Sequence, residues 1–161
     1  MTLNLCPCCA GIPFDDVLAA DIDLIQRHGW MIQYVSAPTP WAYTIGLSPG
    51  FAHPELIVVG LDHRRSMDVL NNLGEQVRAG ARLRPGPAST DTAPVDLIDV
   101  HQSHWATDRF AIWWAVTSEM GVVVDSEPRA LQALVDGSPS VRLDHGPNRA
   151  ARRVAARRAQ R

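Results

Sequence analysis

Residues Trp41 to Leu61 read W-A-Y-T-I-G-L-S-P-G-F-A-H-P-E-L-I-V-V-G-L, and they leave this part of the chain little conformational choice. Aromatic and β-branched residues on either side of a Pro/Gly break specify two short strands joined by a loop. Side chains alternate along a strand, so Trp41, Tyr43, Ile45 and Leu47 share one face of the first, with Ala42, Thr44 and Gly46 on the other. Ser48-Pro49-Gly50 supplies the turn, and the unbroken apolar run after Glu55 reads as a buried strand ending at Gly60. The loop between them holds His53 and Glu55.

The flanking segments extend this unit. Trp30 to Val35 alternates as a further strand, broken by Ala37-Pro38-Thr39-Pro40. Before it, Phe14, Leu18, Ile22 and Ile25 fall on one face of a helix that Asp15 or Asp16 would cap and Gly29 would stop. After it, Asp62 is placed to cap a helix through Ala79, with Met67, Leu70 and Val77 near one face and Gly80 at its end. Residues 81–94, rich in Pro, Gly, Ser and Thr, read as a surface loop. Val95 to Val100 is predicted as a strand, Trp105 to Glu119 as a helix (its aromatics also suit a strand), and Gly121 to Asp125 as a strand. Ser126 and Pro128 would open a last helix through Val135.

Adjacent strands with segregated helices specify an α+β fold, a single mixed or antiparallel sheet with helices packed on it. The expected organisation is a Cys-rich lead-in over 1–13, one α+β domain over 14–147 and an Arg-rich tail over 148–161, helical or disordered.

Composition sets the remaining bounds. With 161 residues, 46% hydrophobic and 20% charged, the chain suits one soluble globular domain. No apolar run approaches the ~18 residues needed to span a bilayer. The N-terminus shows no basic stretch leading into an apolar core, so a cytoplasmic location is expected. All 15 basic residues are Arg. Six of them lie in residues 149–161, which hold no acid, so the tail carries +6 and residues 1–148 carry −8. A near-neutral total conceals an acidic body with a basic end.

Several of these motifs occur together in a known arrangement. Arg27-His28-Gly29-Trp30, the Trp41 to Leu47 strand, His53-Pro54-Glu55-Leu56 and a following helix with Leu70 and Asn71 resemble the bacterial domain-of-unknown-function family 4262. Members of that family carry an N-terminal cysteine cluster, an amphipathic helix ending in His-Gly-Trp, a Tyr-Thr-(Ile/Val)-Gly-Leu strand and a Pro-Glu-Leu strand. Cys6-Pro7-Cys8-Cys9 occupies the place of the cluster, and the resemblance covers roughly residues 6–80. The family's later Ala-Leu-Gln strand is echoed by Ala130-Leu131-Gln132, inside the segment whose local pattern reads as a helix. The resemblance implies no reaction, cofactor or substrate.

Three groups of residues can carry chemistry. Pro54 fixes the backbone between His53 and Glu55, and Tyr43 and Thr44 lie just before the turn. An imidazole beside a carboxylate can act as an acid–base pair; the alternative is that Tyr43 packs in the core and Glu55 caps or pairs locally. His101 and His104 share one side of a helical turn, as an acid–base or metal pair requires, unless Ser103 caps the turn and both rings face solvent. Convergence of these two histidines with His53 and Glu55 in one pocket is a spatial hypothesis. Of the paired indoles Trp113-Trp114, one is expected in the core and one at its edge.

The third group is Cys6, Cys8 and Cys9, a C-x-x-C pair with a neighbour. Their thiolates can grip zinc, but a closed structural site takes four ligands, so a His or a second chain would have to complete it. Reduced structural thiols are the nearest alternative, and redox catalysis ranks below both because no strand precedes the motif.

No nucleophile elbow, phosphate loop or dinucleotide fingerprint is present, and the sequence leaves enzymatic activity open. The leading reading is a small soluble domain with a ligand pocket near His53 and Glu55. The alternative is an interaction or accessory module that uses the Cys lead-in and Arg149–Arg161 to engage an acidic partner or nucleic acid by counterion release. Such contact would be nonspecific, since no aromatic is interleaved for stacking. The alternative for the tail is a solvated segment that folds back on the acidic body. A second copy of the chain is a further candidate partner, and a membrane is not.

Overall fold

The computed structural model describes residues 11–105, 108–122, 128–136 and 141–145. The cysteine cluster, the Arg-rich tail and most of the strand expected over 121–125 lie outside them.

Among the described residues six strands form one mixed sheet, in the order β1-β2-β3-β6-β5-β4. They are β1 (Met31–Val35), β2 (Trp41–Ile45), β3 (Glu55–Val59), β4 (Gly86–Ser89), β5 (Pro94–Asp99) and β6 (Ala130–Val135). The central β3 and β6 run parallel, with Glu55 opposite Ala130, and every other neighbouring pair is antiparallel. The α+β architecture, with a mixed sheet and helices packed on it, is therefore the one the strand–helix pattern specifies.

Among the described residues four α-helices accompany the sheet: α1 (Phe14–His28), α2 (Leu47–Phe51), α3 (His63–Arg78) and α4 (Ala111–Glu119). Alternation along β3 divides the interior into two layers. Leu56 and Val58 join Leu70, Leu73 and Val77 of α3, whereas Ile57 and Val59 join Leu18 and Ile25 of α1 and Trp113 and Val116 of α4. Helix α3 starts as its sequence dictates, with the Asp62 carboxylate accepting the Arg65 N–H at 2.9 Å.

The structure departs from the sequence pattern in several places. Helix α1 has Pro13 at its N-cap with no side-chain cap; Asp15 and Asp16 lie inside the first turn instead, where their charge complements the helix dipole. The Ser48-Pro49-Gly50 turn is the middle of α2, which carries Leu47 over to the α3 layer, away from Tyr43 and Ile45. The expected loop over 81–94 contains the edge strand β4, short and holding Pro87 as edge strands tolerate. The segment from Trp105 begins with a 3-10 turn, Asp108–Phe110, before α4.

The largest correction concerns Ala130–Val135, which is strand β6 and not a helix. Its Ala, Leu and Gln favour a helix in isolation, but the segment is inserted between β3 and β5 and all but one of its residues are buried. Burial on both faces removes the period-two signal, and tertiary pairing overrides propensity. Trp113 is buried and Trp114 is 43% exposed, the division expected of the pair.

Candidate functional site

The His53-Pro54-Glu55 corner sits where β2, α2, β3 and β6 meet, and its two ionisable side chains are used differently. Glu55 is fully buried. Its Oε1 accepts the Gly46 N–H (3.0 Å), the Ser48 N–H (3.1 Å) and the Trp113 indole N–H (3.3 Å). Its Oε2 accepts the Leu47 N–H (3.2 Å) and the Thr44 hydroxyl (2.7 Å). Thr44 Oγ1 also accepts the Leu56 N–H at 2.9 Å, which leaves its proton for the carboxylate.

Three successive backbone amides at the start of α2 thus close on one carboxylate, supplied by the strand that follows. Burial pushes the Glu55 carboxyl above its usual range, while Thr44, Ser48, Gly46 and Trp113 pull it back by binding the charged form. Gly46 makes the approach possible. Its φ is +124°, and a Cβ there would lie 2.7 Å from the Gly29 carbonyl oxygen and 2.9 Å from Trp30 Cα.

His53 is also buried, but it turns toward residues 82–85. Its Nδ1 lies 2.7 Å from the Pro54 carbonyl oxygen, and its Nε2 lies 3.1 Å from the Leu83 nitrogen. A carbonyl can only accept and an amide N–H can only donate, so Nδ1 carries the proton and the ring is neutral. Burial pushes its pKa below the ordinary value of 6.5, and the nearby Arg82 charge adds to that shift. No hydrogen bond or ion pair joins His53 to Glu55; each side chain bonds a different set of partners.

Tyr43 lies in the α1/α4 layer, with its ring edge-on to Phe110 at 5.0 Å. Burial pushes its hydroxyl pKa up, and the backbone amides of Trp113 and Ile112 at the start of α4 oppose that shift. His101 Nδ1 accepts the Ser103 N–H at 3.2 Å and lies 2.8 Å from the Ser103 hydroxyl, so the histidine caps this turn where Ser103 was the expected cap. His104 Nε2 reaches the His145 carbonyl oxygen at 2.9 Å. None of these contacts brings His101 or His104 to His53 or Glu55. Among the described residues no group of three or more His, Cys, Asp or Glu is placed to hold a metal ion. Cys6, Cys8 and Cys9, the residues considered for zinc, lie outside them.

The corner does border a cavity. A surface depression of about 470 Å³ opens beside His53, with Pro54, Leu83, Pro85 and Leu131 contributing apolar surface and Arg82, Arg84 and Arg129 contributing guanidinium groups. The sequence reading missed these arginines. Arg82 and Arg84 had a faint signal, since an Arg-Leu-Arg-Pro run in extended chain places alternate side chains on one side. Arg129 had none, because its position depends on how β6 pairs.

A second depression, of about 340 Å³, lies against Trp30, but its polar groups already serve one another. The Trp30 indole donates to Asn71 at 3.3 Å; Arg78 stacks on that indole at 4.4 Å and pairs with Glu75 at 3.1 Å. A third, of about 430 Å³ and bordered by Asp15, Asp23 and Glu119, lies against α1.

A single mixed sheet with helices on both faces, built round a buried carboxylate that accepts hydrogen bonds from β2, α2 and α4, defines an α+β domain. A family model described as Domain of unknown function (DUF4262) matches residues 24–124, and the chain belongs to that family. The match runs from the end of α1 past α4, so it extends beyond the motif resemblance on the C-terminal side and does not include residues 6–23. No curated protein and no solved structure matches the chain. No helix among the described residues is long and apolar enough to cross a membrane.

Proposed function

We propose that this domain is a small-molecule binding module whose ligand occupies the depression beside His53. On this reading Tyr43, His53 and Glu55 hold the scaffold together and transfer no protons. The observation that supports it is where unsatisfied bonding capacity lies. Glu55 has five donors on its two oxygens and both His53 nitrogens are engaged, so neither has an atom left for a substrate. The depression, by contrast, offers apolar surface beside exposed guanidinium groups, and its volume of about 470 Å³ falls in the range of small-ligand sites.

Chemical-shift mapping of the full chain against neutral, acidic and basic fragments tests this. Saturable shifts at the Leu83, Arg84 and Leu131 amides with at least one fragment class are expected. A panel that moves none of them would overturn the reading.

A further inference from the structure

Resting on that reading of the His53 depression as a binding site, we infer that its ligand is an organic phosphate, with the phosphate held by Arg82, Arg84 and Arg129 and an apolar body lying on Leu83, Pro85 and Leu131. Three features of the structure support this assignment.

The first is that the cationic segment is held in place. His53 Nε2 accepts the Leu83 N–H, which anchors the segment between the two arginines. Arg82 Nη1 donates to the Phe51 and Ala52 carbonyls at 2.9 and 3.0 Å, at the last residue of α2 and its C-cap. That fixes the guanidinium plane and leaves Nε and Nη2 to donate elsewhere. His53 is therefore a positioning residue for this site.

The second is available charge. Among the described residues Arg84 makes no hydrogen bond or ion pair, although it lines the same depression as Arg82. Arg129 pairs with Asp99 at 3.3 Å, but both side chains are largely exposed, and pairs of that kind contribute little and yield readily to a better anion.

The third is the match of number and size. One guanidinium satisfies a carboxylate through two parallel bonds, whereas three arriving from separate positions suit a group with three outer oxygens and up to two charges. Phosphate alone would leave most of the volume and all of the apolar surface unused, which calls for an organic body. Because the arginines are exposed, the affinity is expected to be modest, with Kd of about 0.1–1 mM for a small probe.

Calorimetric titration of the full chain with phenyl phosphate, inorganic phosphate, benzoate and phenol tests the assignment. Phenyl phosphate is expected to bind about tenfold or more tightly than the other three. Arg84→Gln should weaken it about tenfold, Arg84→Lys should recover only part of that loss, and Arg27→Gln on α1 should change nothing. Benzoate or inorganic phosphate binding as tightly as phenyl phosphate would overturn the inference, as would indifference to Arg84→Gln. If neutral or basic fragments shift Leu83 and Leu131 while phenyl phosphate does not, the organic-phosphate assignment fails and the binding-module reading stands. If no probe binds there, both fail.

Discussion

Replacing Glu55 with glutamine changes one oxygen to an amide nitrogen, and the surrounding donors fix the consequence. At the Oε1 position the new NH2 group would face three donors, from Gly46, Ser48 and Trp113. At the Oε2 position it would face two, from Leu47 and Thr44. The second placement is cheaper, and it still orphans the buried Leu47 N–H at a cost of about 1–3 kcal/mol. The bonds that remain lose their charge assistance, roughly half their strength. Removing a buried charge offsets part of this, so the net loss expected for Glu55→Gln is about 2–4 kcal/mol. Glu55→Ala leaves five donors unsatisfied and opens a cavity, costing more than about 4 kcal/mol, a large fraction of a typical domain's stability. Guanidinium denaturation at pH 7, followed by circular dichroism, measures both variants. A Glu55→Gln midpoint equivalent to less than about 0.5 kcal/mol of change would refute the structural role, since surface substitutions fall in that range.

Three further outcomes follow from the same geometry. Gly46→Ala combines a disfavoured φ with a Cβ overlapping the Gly29 carbonyl, and is expected to cost roughly 2–5 kcal/mol by thermal or chemical denaturation. Asp62→Ala removes the α3 cap and should cost about 1 kcal/mol by the same assay, with no change in the fold reported by circular dichroism. His53 has a folded pKa below its ordinary value of 6.5, so in mild acid the unfolded chain binds more protons than the native state. Its contribution is therefore complete above 6.5 and is lost as pH falls from there toward the folded value. Glu55, displaced upward, contributes with the opposite sign, so the comparison must be differential: stability measured from pH 7.5 to 5.5 should fall more steeply for the wild type than for His53→Gln. Parallel profiles would place the His53 proton elsewhere.

What the sequence shows and what it hides divide along physical lines. The β2–β3 pair is legible because alternation, a breaker and a uniformly apolar run are local signals, and α3 is legible because Asp62 and the apolar spacing agree. Ala130–Val135 is illegible because its strand identity comes from β3 and β5, far away in the chain. The corner shows the same split. That His53 and Glu55 lie side by side is written in the sequence, but the partners that occupy their polar atoms are mainly backbone amides of residues 46–48 and 83, which have no side-chain signature.

The depression beside His53 depends on the segment whose local pattern favours a helix. The Glu55 N–H donates to the Arg129 carbonyl at 2.9 Å as β6 starts alongside β3, and that strand pairing places a third arginine at the depression beside His53. A helix over the same residues would have carried Arg129 elsewhere. The sheet topology therefore accounts for the depression beside His53, and the Glu55 carboxyl, the most conspicuous acid in the motif, holds the turn from which β3 departs.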